Sequence, residues 1–222
     1  MCGRFTLTAE AKELAKRFGI EVSASFYKTV APRYNIAPTQ PVVVLAADGK
    51  RYLTQMRWGL IPSWAKDPAI GNRMINARAE TLITRPAFRV AIRKRRCLIV
   101  ADGFYEWKKT GNVKQPVRIV LKNREPFGFA GLWETWKPPE GEEIKSCAII
   151  TTEANDLLKD VHDRMPVILS REKETQWLDP DAELAHLMRL LKPYDSAEME
   201  YYLVSRAVNS PSHNAADCIV PI

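Results

Sequence analysis

Residues 42–58 read VVVLAADGKRYLTQMRW, and this stretch decides the fold class. Two runs rich in β-branched and aromatic residues, 42–47 and 52–58, flank Asp48-Gly49. Strand-like runs joined by Asp-Gly are a strong hairpin signal, and the dipeptide suits a two-residue type I′ turn because both positions tolerate a positive φ. The stretch therefore predicts an antiparallel β-hairpin.

More short strands are indicated on both sides of this hairpin, at residues 97–101, 116–121, 126–132, 147–152, 167–169 and 201–205. Helices are predicted between Thr8, as the N-terminal cap, and Gly19, and over residues 153–159, 172–178 (capped by Ser170) and 182–191. Short strands with helices between them favour an α+β fold in which mostly antiparallel curved sheets form a barrel-like core flanked by helices.

Length and composition indicate one globular domain over residues 1–222. The chain has a mass of 25.2 kDa and 46% hydrophobic residues, enough to bury a substantial core. Its start does not resemble a signal peptide, and no segment approaches the roughly 20 apolar residues of a membrane span. The four cysteines show no CxxC spacing, so we predict no metal site and no cofactor.

The charge balance points to an anionic partner. The chain has 33 Lys and Arg against 26 Asp and Glu, for a net charge of +7, and the excess is concentrated in residues 85–96. Such a surface favours phosphate backbones through counterion release. The run Arg93-Lys94-Arg95-Arg96 is equally consistent with the solvated end of a helix.

The cysteine at position 2 carries the strongest chemical signal. When the initiator methionine is removed, Cys2 presents an α-amine and a thiol on adjacent carbons. Such an aminothiol traps aldehydes as a Schiff base and then as a thiazolidine. The reference pKa of an α-amine, about 7.7 to 8.0, leaves a usable unprotonated fraction at neutral pH.

Three polar residues lie in stretches whose local hydrophobic pattern does not predict a polar side chain at those positions. Asn76 lies in INARAE, and its alternative role is to satisfy a loop backbone. Glu106, in FYEW, would share a strand face with Phe104, where burial raises a carboxyl pKa; the alternative is a water-facing edge strand. His162, in HDRMP, lies at a predicted element boundary, as catalytic residues often do, but is equally consistent with a loop histidine bonded to Asp163.

Together these stretches resemble the SRAP family of abasic-site processing proteins. The resemblance extends over the whole chain, through MCGRFT, RYNIAPTQ, RWGLIPSW, INARAET, ADGFYEW, HDRMPVIL and VSRAVNSP, in the family's order. It implies a barrel-like α+β domain that binds single-stranded DNA and crosslinks itself to the ring-opened abasic sugar. A monomer is expected, located in the cytoplasm, with the nucleoid if bacterial or in the nucleus if eukaryotic.

The resemblance also implies roles for the four candidate catalytic residues. Cys2 forms the Schiff base and thiazolidine, and Asn76 orients the α-amine or the sugar. Glu106 moves protons and assists reversal, whereas His162 opens the sugar ring and promotes β-elimination, the lyase activity.

Single strands and junctions with duplex DNA are the expected partners, because an abasic site inside a duplex is harder to reach. Arg4 and Arg78 flank Cys2 and Asn76 in sequence and are the candidates for phosphate contacts. Trp64 and Pro38 are candidates to wedge or stack where the base is missing, with core packing as the alternative. Two other functions stay open: a cysteine or N-terminal nucleophile peptidase, which would also explain autocatalytic loss of Met1, and a non-catalytic single-strand-binding module.

Overall fold

The computed structural model describes residues 2–111 and 113–222. The strands are β1 (Phe5–Leu7), β2 (Arg33–Ile36), β3 (Pro41–Asp48), β4 (Lys50–Trp58), β5 (Asn76–Arg78), β6 (Arg96–Ala101), β7 (Gly103–Thr110), β8 (Val113–Leu121), β9 (Phe127–Trp136), β10 (Ile144–Glu153), β11 (Arg164–Pro166), β12 (Ile168–Leu169) and β13 (Met199–Leu203). The α-helices are α1 (Ala11–Phe18), α2 (Ala24–Thr29), α3 (Ala91–Lys94), α4 (Arg171–Leu178) and α5 (Leu184–Leu190). Short 3₁₀ helices cover Pro68–Arg73, Ala79–Thr81, Ser196–Glu198, Arg206–Asn209 and Ala216–Ile219.

Five strands close into a barrel in the order β10-β4-β3-β6-β9, and β9 pairs back onto β10. The β10–β4 pair is parallel, with Cys147 opposite Trp58, and the other four pairings are antiparallel. Strands β5 and β11 attach to β10, and β12 attaches to β9. The predicted α+β class with a barrel-like core is confirmed.

A second, antiparallel sheet packs on the barrel in the order β13-β8-β7-β1-β2. Phe5 of β1 joins the two bodies: its ring lies 5.0 Å from Trp58 and 5.9 Å from Phe129. Phe104 of β7 makes a further edge contact with Phe129 at 5.9 Å. Edge-to-face aromatic pairs add to the stabilisation from buried area. Because Phe5 of the second sheet packs against barrel residues, the residues just before β1 are held where the two sheets meet.

The predicted hairpin is present, but its turn differs. Strands β3 and β4 pair with Asp48 opposite Lys50, so the register is centred on Gly49 and the loop is not the two-residue type I′ turn. Gly49 has φ of +71°, and loops of odd length use such a left-handed glycine.

Two helix boundaries were predicted correctly and one wrongly. Gly19, with φ of +62°, ends α1, and the Ser170 hydroxyl accepts from the Lys173 backbone N–H at the start of α4. The N-cap of α1 is Glu10 rather than Thr8, because the Thr8 hydroxyl donates to Asp102 instead.

The helix predicted over residues 153–159 is wrong. Glu153 continues β10, where it pairs with Arg164, and the next residues make a turn. The Asn155 side chain accepts from the Leu158 backbone N–H at 3.1 Å and donates to Tyr194 O at 2.8 Å, a local arrangement that competes with helix. Helix α5 is shorter than the predicted 182–191. Over the two described ranges, the helices are all too short or too polar to span a membrane.

Candidate active site

Cys2 lies at the junction between the barrel and the second sheet, and its side chain is fully buried. Its backbone carbonyl accepts a 2.8 Å hydrogen bond from Asn76 Nδ2, and its thiol lies 3.9 Å from Arg4 O. Burial raises the pKa of the Cys2 thiol well above its ordinary value, and the charge of Glu106 raises it further. The thiol is therefore neutral in this setting and needs a nearby proton acceptor before it reacts.

The pairing of β1 with β7 fixes the position of Cys2. Phe5 lies opposite Phe104, and the Tyr105 backbone N–H donates to Arg4 O at 3.0 Å. Continuing this antiparallel register places Gly3 beside Glu106. The sequence stretches MCGRFT and ADGFYEW therefore meet as neighbouring strands.

A buried ionic network fastens the same strands together. Asp102 accepts from the Thr6 and Thr8 hydroxyls at 2.5 and 2.6 Å, and it pairs with Arg118 at 3.1 Å. Arg118 also donates to the Thr6 hydroxyl at 2.9 Å and to Tyr202 Oη at 2.8 Å. The sequence analysis did not predict this network. Its one signal was Arg118, a single charge in the apolar run PVRIVL, which indicates a buried arginine that needs an acidic partner.

Glu106 is the carboxylate of the site. It is on β7 and only 4% exposed, so the water-facing alternative is not what the structure has. Burial raises the pKa of the Glu106 carboxyl, and a positive charge on His162 acts in the opposite direction. A carboxyl whose pKa is raised is a better proton donor to reacting groups than an ordinary ionised carboxylate and can take the proton back. The charge of Glu106 affects the Cys2 thiol, and the charge of His162 affects Glu106. The three side chains therefore belong to one site.

Asn76 begins β5, which pairs in parallel with β10 so that Asn76 is opposite Ile149. While its Nδ2 donates to Cys2, its Oδ1 is buried without a hydrogen-bond partner among the described residues. An unsatisfied buried acceptor is costly and calls for a functional explanation. The free acceptor lies on the same amide that holds the Cys2 main chain.

His162 precedes β11, and its side chain is 33% exposed. Its Nδ1 accepts from the Arg164 backbone N–H at 2.9 Å and lies 2.8 Å from the Asp163 carboxylate. Because Nδ1 accepts the Arg164 N–H, the proton of the neutral ring is on Nε2. The bond to Asp163 that sequence reasoning weighed as an alternative is present together with the coupling to Glu106.

The ion pair between Arg164 and Glu80 joins the stretch that contains Asn76 to the stretch that contains His162. The sequence analysis did not single out either residue. Arg164 donates to both oxygens of Glu80, at 2.6 and 3.0 Å, and to Thr151 O at 2.7 Å. The hydrogen bond to Arg164 lowers the pKa of the Glu80 carboxyl. Both residues were visible in INARAE and HDRMP.

The four predicted DNA contacts occupy different surroundings. Arg4 donates to Asn35 Oδ1 at 2.8 Å and to Val208 O at 2.7 Å, so much of its guanidinium is used inside the protein. Burial lowers its pKa. Arg78 is exposed at the end of β5, two residues from Asn76. Trp64 is 58% exposed beside a cavity of about 360 Å³, and Pro38 is half-buried.

Residues with metal-ligand chemistry gather at one place in the described ranges. Ligand atoms of His213, Asp217 and Cys218 lie within 4.8 Å of one another. His213 Nε2 and the Asp217 carboxylate are 2.8 Å apart, at hydrogen-bond distance, and burial raises the pKa of the Cys218 thiol. The hydrogen bond between His213 and Asp217 is sufficient to hold these two side chains together.

The fold and the site define an α+β barrel protein with a candidate nucleophile at its second residue, beside a buried carboxyl and an imidazole. The family model described as SOS response associated peptidase (SRAP) matches residues 1–211, and the chain belongs to this family.

Named proteins and a solved structure agree with this membership. The chain is 48% identical to the abasic site processing protein YoqW of Bacillus subtilis, over 99% of both chains. It is 32% identical to the abasic site processing protein HMCES of Rattus norvegicus, over 86% of this chain and 65% of that one. A crystal structure of a protein from Bacteroides thetaiotaomicron superposes with a TM-score of 0.92, at 29% identity, covering 100% of both chains.

Proposed function

We propose that this chain, once Met1 is removed, captures abasic sites in single-stranded DNA as a thiazolidine on Cys2. Similar proteins named for abasic site processing support the substrate class. The observation that carries the proposal is the hydrogen bond from Asn76 to Cys2 O at 2.8 Å, which holds the second residue beside a buried carboxyl.

The chemistry balances with the loss of one water. The Cys2 α-amine attacks C1′ of the ring-opened sugar, and the resulting carbinolamine loses water to give an imine. The sulfur then bonds to the imine carbon, and the thiol proton ends on the nitrogen, which closes the five-membered ring. No electrons are gained or lost, so the reaction requires no redox partner.

Asn76 suits the first step because its amide has two separate functions. Nδ2 already fixes the Cys2 carbonyl, and the buried Oδ1 can accept a hydrogen bond from the α-amine when Met1 is absent. When Asn76 Oδ1 accepts an N–H of the α-amine, the nitrogen lone pair is kept directed towards the sugar. Proximity and orientation of this kind supply a large share of rate acceleration.

Glu106 and His162 move the protons. The raised pKa of Glu106 suits it to protonate the carbinolamine hydroxyl and then to accept the proton of the Cys2 thiol. His162 would give the proton on Nε2 of its charged ring to the sugar ring oxygen as the ring opens. The ring, then neutral, would accept the C2′ proton in β-elimination, with the 3′ phosphate as the leaving group. Each such contribution is typically worth about 10²–10⁴-fold in rate.

DNA contact on this proposal comes from the four residues named from the sequence motifs. Exposed Arg78 would meet a phosphate and exposed Trp64 would stack on a base, with Pro38 beside the strand. Arg4, held by Asn35 and Val208, would contact a phosphate with its remaining donors. Single strands and junctions are the preferred substrates, and the protein acts as a monomer.

The cysteine peptidase differs from the proposal in its substrate, since it would hydrolyse a peptide or ester without DNA. The single-strand-binding module differs in requiring no covalent bond at all. Both alternatives are separated from the proposal by one crosslinking experiment.

The experiment incubates the chain with single-stranded DNA carrying one abasic site and looks for a protein–DNA band that survives denaturation. The wild type should give the band without reductant, and Cys2→Ala should give it only after borohydride reduction, because the alanine keeps the α-amine but has no thiol. Cys218→Ala, another buried cysteine, is the matched control and should crosslink fully. A one-residue extension before Cys2 should abolish the band, and full crosslinking by a chain that retains Met1 would refute the proposal.

A further inference from the structure

Two adjoining cavities form a cleft at the tip of the β3–β4 hairpin, where it meets the end of α4. Their volumes are about 560 and 220 Å³, and both are lined by Ala47, Lys94, Leu178 and Pro180. We call this the hairpin cleft. It combines three parts of the chain: the hairpin tip, the basic run Arg93–Arg96 where α3 ends and β6 begins, and the end of α4 with the two residues after it.

The hairpin cleft is strongly cationic. Among the side chains that the structure describes, five cationic groups line the two cavities, against one carboxylate, that of Asp179. The cations are Lys50, Arg51, Arg93, Lys94 and Arg96.

Arg96 builds the cleft wall and is not a free charge. It is buried and donates to Trp177 O and Ile92 O at 2.7 and 3.0 Å, which satisfies carbonyls at the ends of α4 and α3. Arg95, the remaining member of the basic run, pairs with Glu134 at 2.8 Å. The other four cations are exposed, and no ion pair joins any of them to a side chain that the structure describes, a set that does not include Asp48.

The lining chemistry favours a phosphate backbone over a base or a peptide. No aromatic side chain lines the cleft within the described part of the chain, so it offers no stacking platform. Its exposed cations come from two separate segments, the hairpin tip and the last turn of α3, so they can contact successive phosphates of one strand.

The hairpin cleft is separate from the site of Cys2. Strand β4 runs from Lys50 at the cleft to Trp58, whose Nε1 donates to Ile75 O beside Asn76. Nine residues of strand at about 3.3 Å each place the two ends roughly 25 Å apart. A strand that reaches both places must therefore be much longer than the lesion itself.

We propose that the hairpin cleft binds the phosphodiester backbone of the nucleic acid at a second place, remote from the lesion. This inference rests on the proposed function for its choice of nucleic acid as the occupant. The cleft would lengthen the DNA footprint and retain the protein on long strands before it meets a lesion. It explains why the basic run lies away from the residues that perform the chemistry.

The test compares binding of undamaged single strands of about 8 and about 30 nucleotides, since one domain commonly covers about 4–16. The cleft variant carries Lys50→Gln, Arg51→Gln, Arg93→Gln and Lys94→Gln. The matched control removes the same charge at exposed lysines outside both cavities, by Lys12→Gln, Lys16→Gln, Lys28→Gln and Lys122→Gln. A milder cleft variant, Lys50→Gln with Lys94→Gln, guards against a folding defect.

The cleft variant should lose about tenfold or more in affinity for the long strand, with a loss below about threefold for the short strand. Its salt dependence should decrease by about 0.7 in slope for each phosphate contact removed. An equal loss in the control, an unchanged preference for the long strand, or tight competition by inorganic phosphate or an acidic peptide alone would overturn the proposal.

Crosslinking to a short strand with an abasic site is measured in parallel. It should be unchanged in the cleft variant, because Cys2 and its neighbours are untouched. Since the length comparison uses undamaged DNA, a failure of crosslinking in the wild type would refute the proposed function without deciding the role of the cleft.

Discussion

The two walls of the candidate site are built in contrasting ways. The nucleophile wall, β1 and β7, carries Cys2 and Glu106 and is fastened by Asp102 and Arg118, whose side chains are each 8% exposed. The imidazole wall, β5 and β11, carries Asn76 and His162 and is fastened by Arg164 and Glu80, of which Glu80 is 52% exposed. One wall is a buried network and the other a solvent-accessible ion pair.

The contrast indicates a division of labour. The nucleophile wall must hold a main-chain segment near the chain terminus in one position, where ordering is otherwise poor. Buried ionic networks are costly to disturb and specify position strongly. On the proposed function, the imidazole wall exchanges protons with water and admits a sugar, so a weaker fastening at the surface is sufficient there.

The largest effect is expected when the buried network is broken by Asp102→Ala. This leaves Arg118 buried without its counter-charge and removes the acceptor of the Thr6 and Thr8 hydroxyls. Loss of one member of a buried pair typically costs about 3–5 kcal/mol. Denaturant unfolding measures the loss, and Asp163→Ala, at an exposed carboxylate, serves as the control. A cost below about 1 kcal/mol would contradict the buried role.

A smaller effect on the same wall is expected from Gly103→Ala. An added Cβ would lie 2.8 Å from Arg118 Nε, and Arg118 cannot easily move because Tyr202 and Asp102 hold it. Overpacking of this kind costs about 1–3 kcal/mol. Unfolding midpoints of Gly103→Ala and Gly111→Ala should be compared after allowing for the positive φ of Gly111, whose Cβ would meet no atom within 4 Å.

How far the sequence predicts the two walls follows from the range of the interactions involved. Hairpins and helix ends depend on neighbouring residues, so Asp48-Gly49, Gly19 and Ser170 were informative. The network of Thr6, Asp102 and Arg118 joins residues about a hundred positions apart, and no local pattern states which of them meet. The false helix over residues 153–159 has the same origin, since pairing of β10 with β11 overrides the local preference.

The candidate site was predictable in its members but not in their partners. Cys2, Asn76, Glu106 and His162 were each named by residue type and motif, and the structure brings them together. The hydrogen bond of Asn76 to the Cys2 carbonyl and the internal partners of Arg4 depend on how the two sheets pack. These contacts form between residues far apart in the chain, so they cannot be predicted from residue spacing.

On the imidazole wall, Glu80→Gln should change stability little. The pair with Arg164 is half open to water, and exposed ion pairs contribute about 0–1 kcal/mol. Crosslinking should nevertheless slow, because Arg164 also supplies the N–H that fixes His162 Nδ1. Rate against pH and unfolding are measured together, with Glu172→Gln on α4 as the control. A stability loss as large as that of Asp102→Ala would remove the contrast between the walls.

The smallest effect concerns the pH dependence of stability at Glu106. Its pKa is raised in the folded state by burial, so the folded chain holds a proton that the unfolded chain releases. The stabilising contribution of protonated Glu106 is complete below the ordinary pKa of 4.5. It falls as pH rises through the window up to the raised pKa of the folded state. Glu106→Gln should therefore match the wild type at acidic pH and melt slightly higher near neutral pH, by about 2–4 °C for each kcal/mol gained.

Glu80→Gln should change the melting temperature in the opposite direction, because Arg164 lowers the pKa of Glu80 and the pair weakens as pH falls. Opposite trends of melting temperature with pH for the two variants would support the contrast between a buried carboxyl on the nucleophile wall and an exposed one on the imidazole wall. Parallel trends would show that the walls do not differ electrostatically.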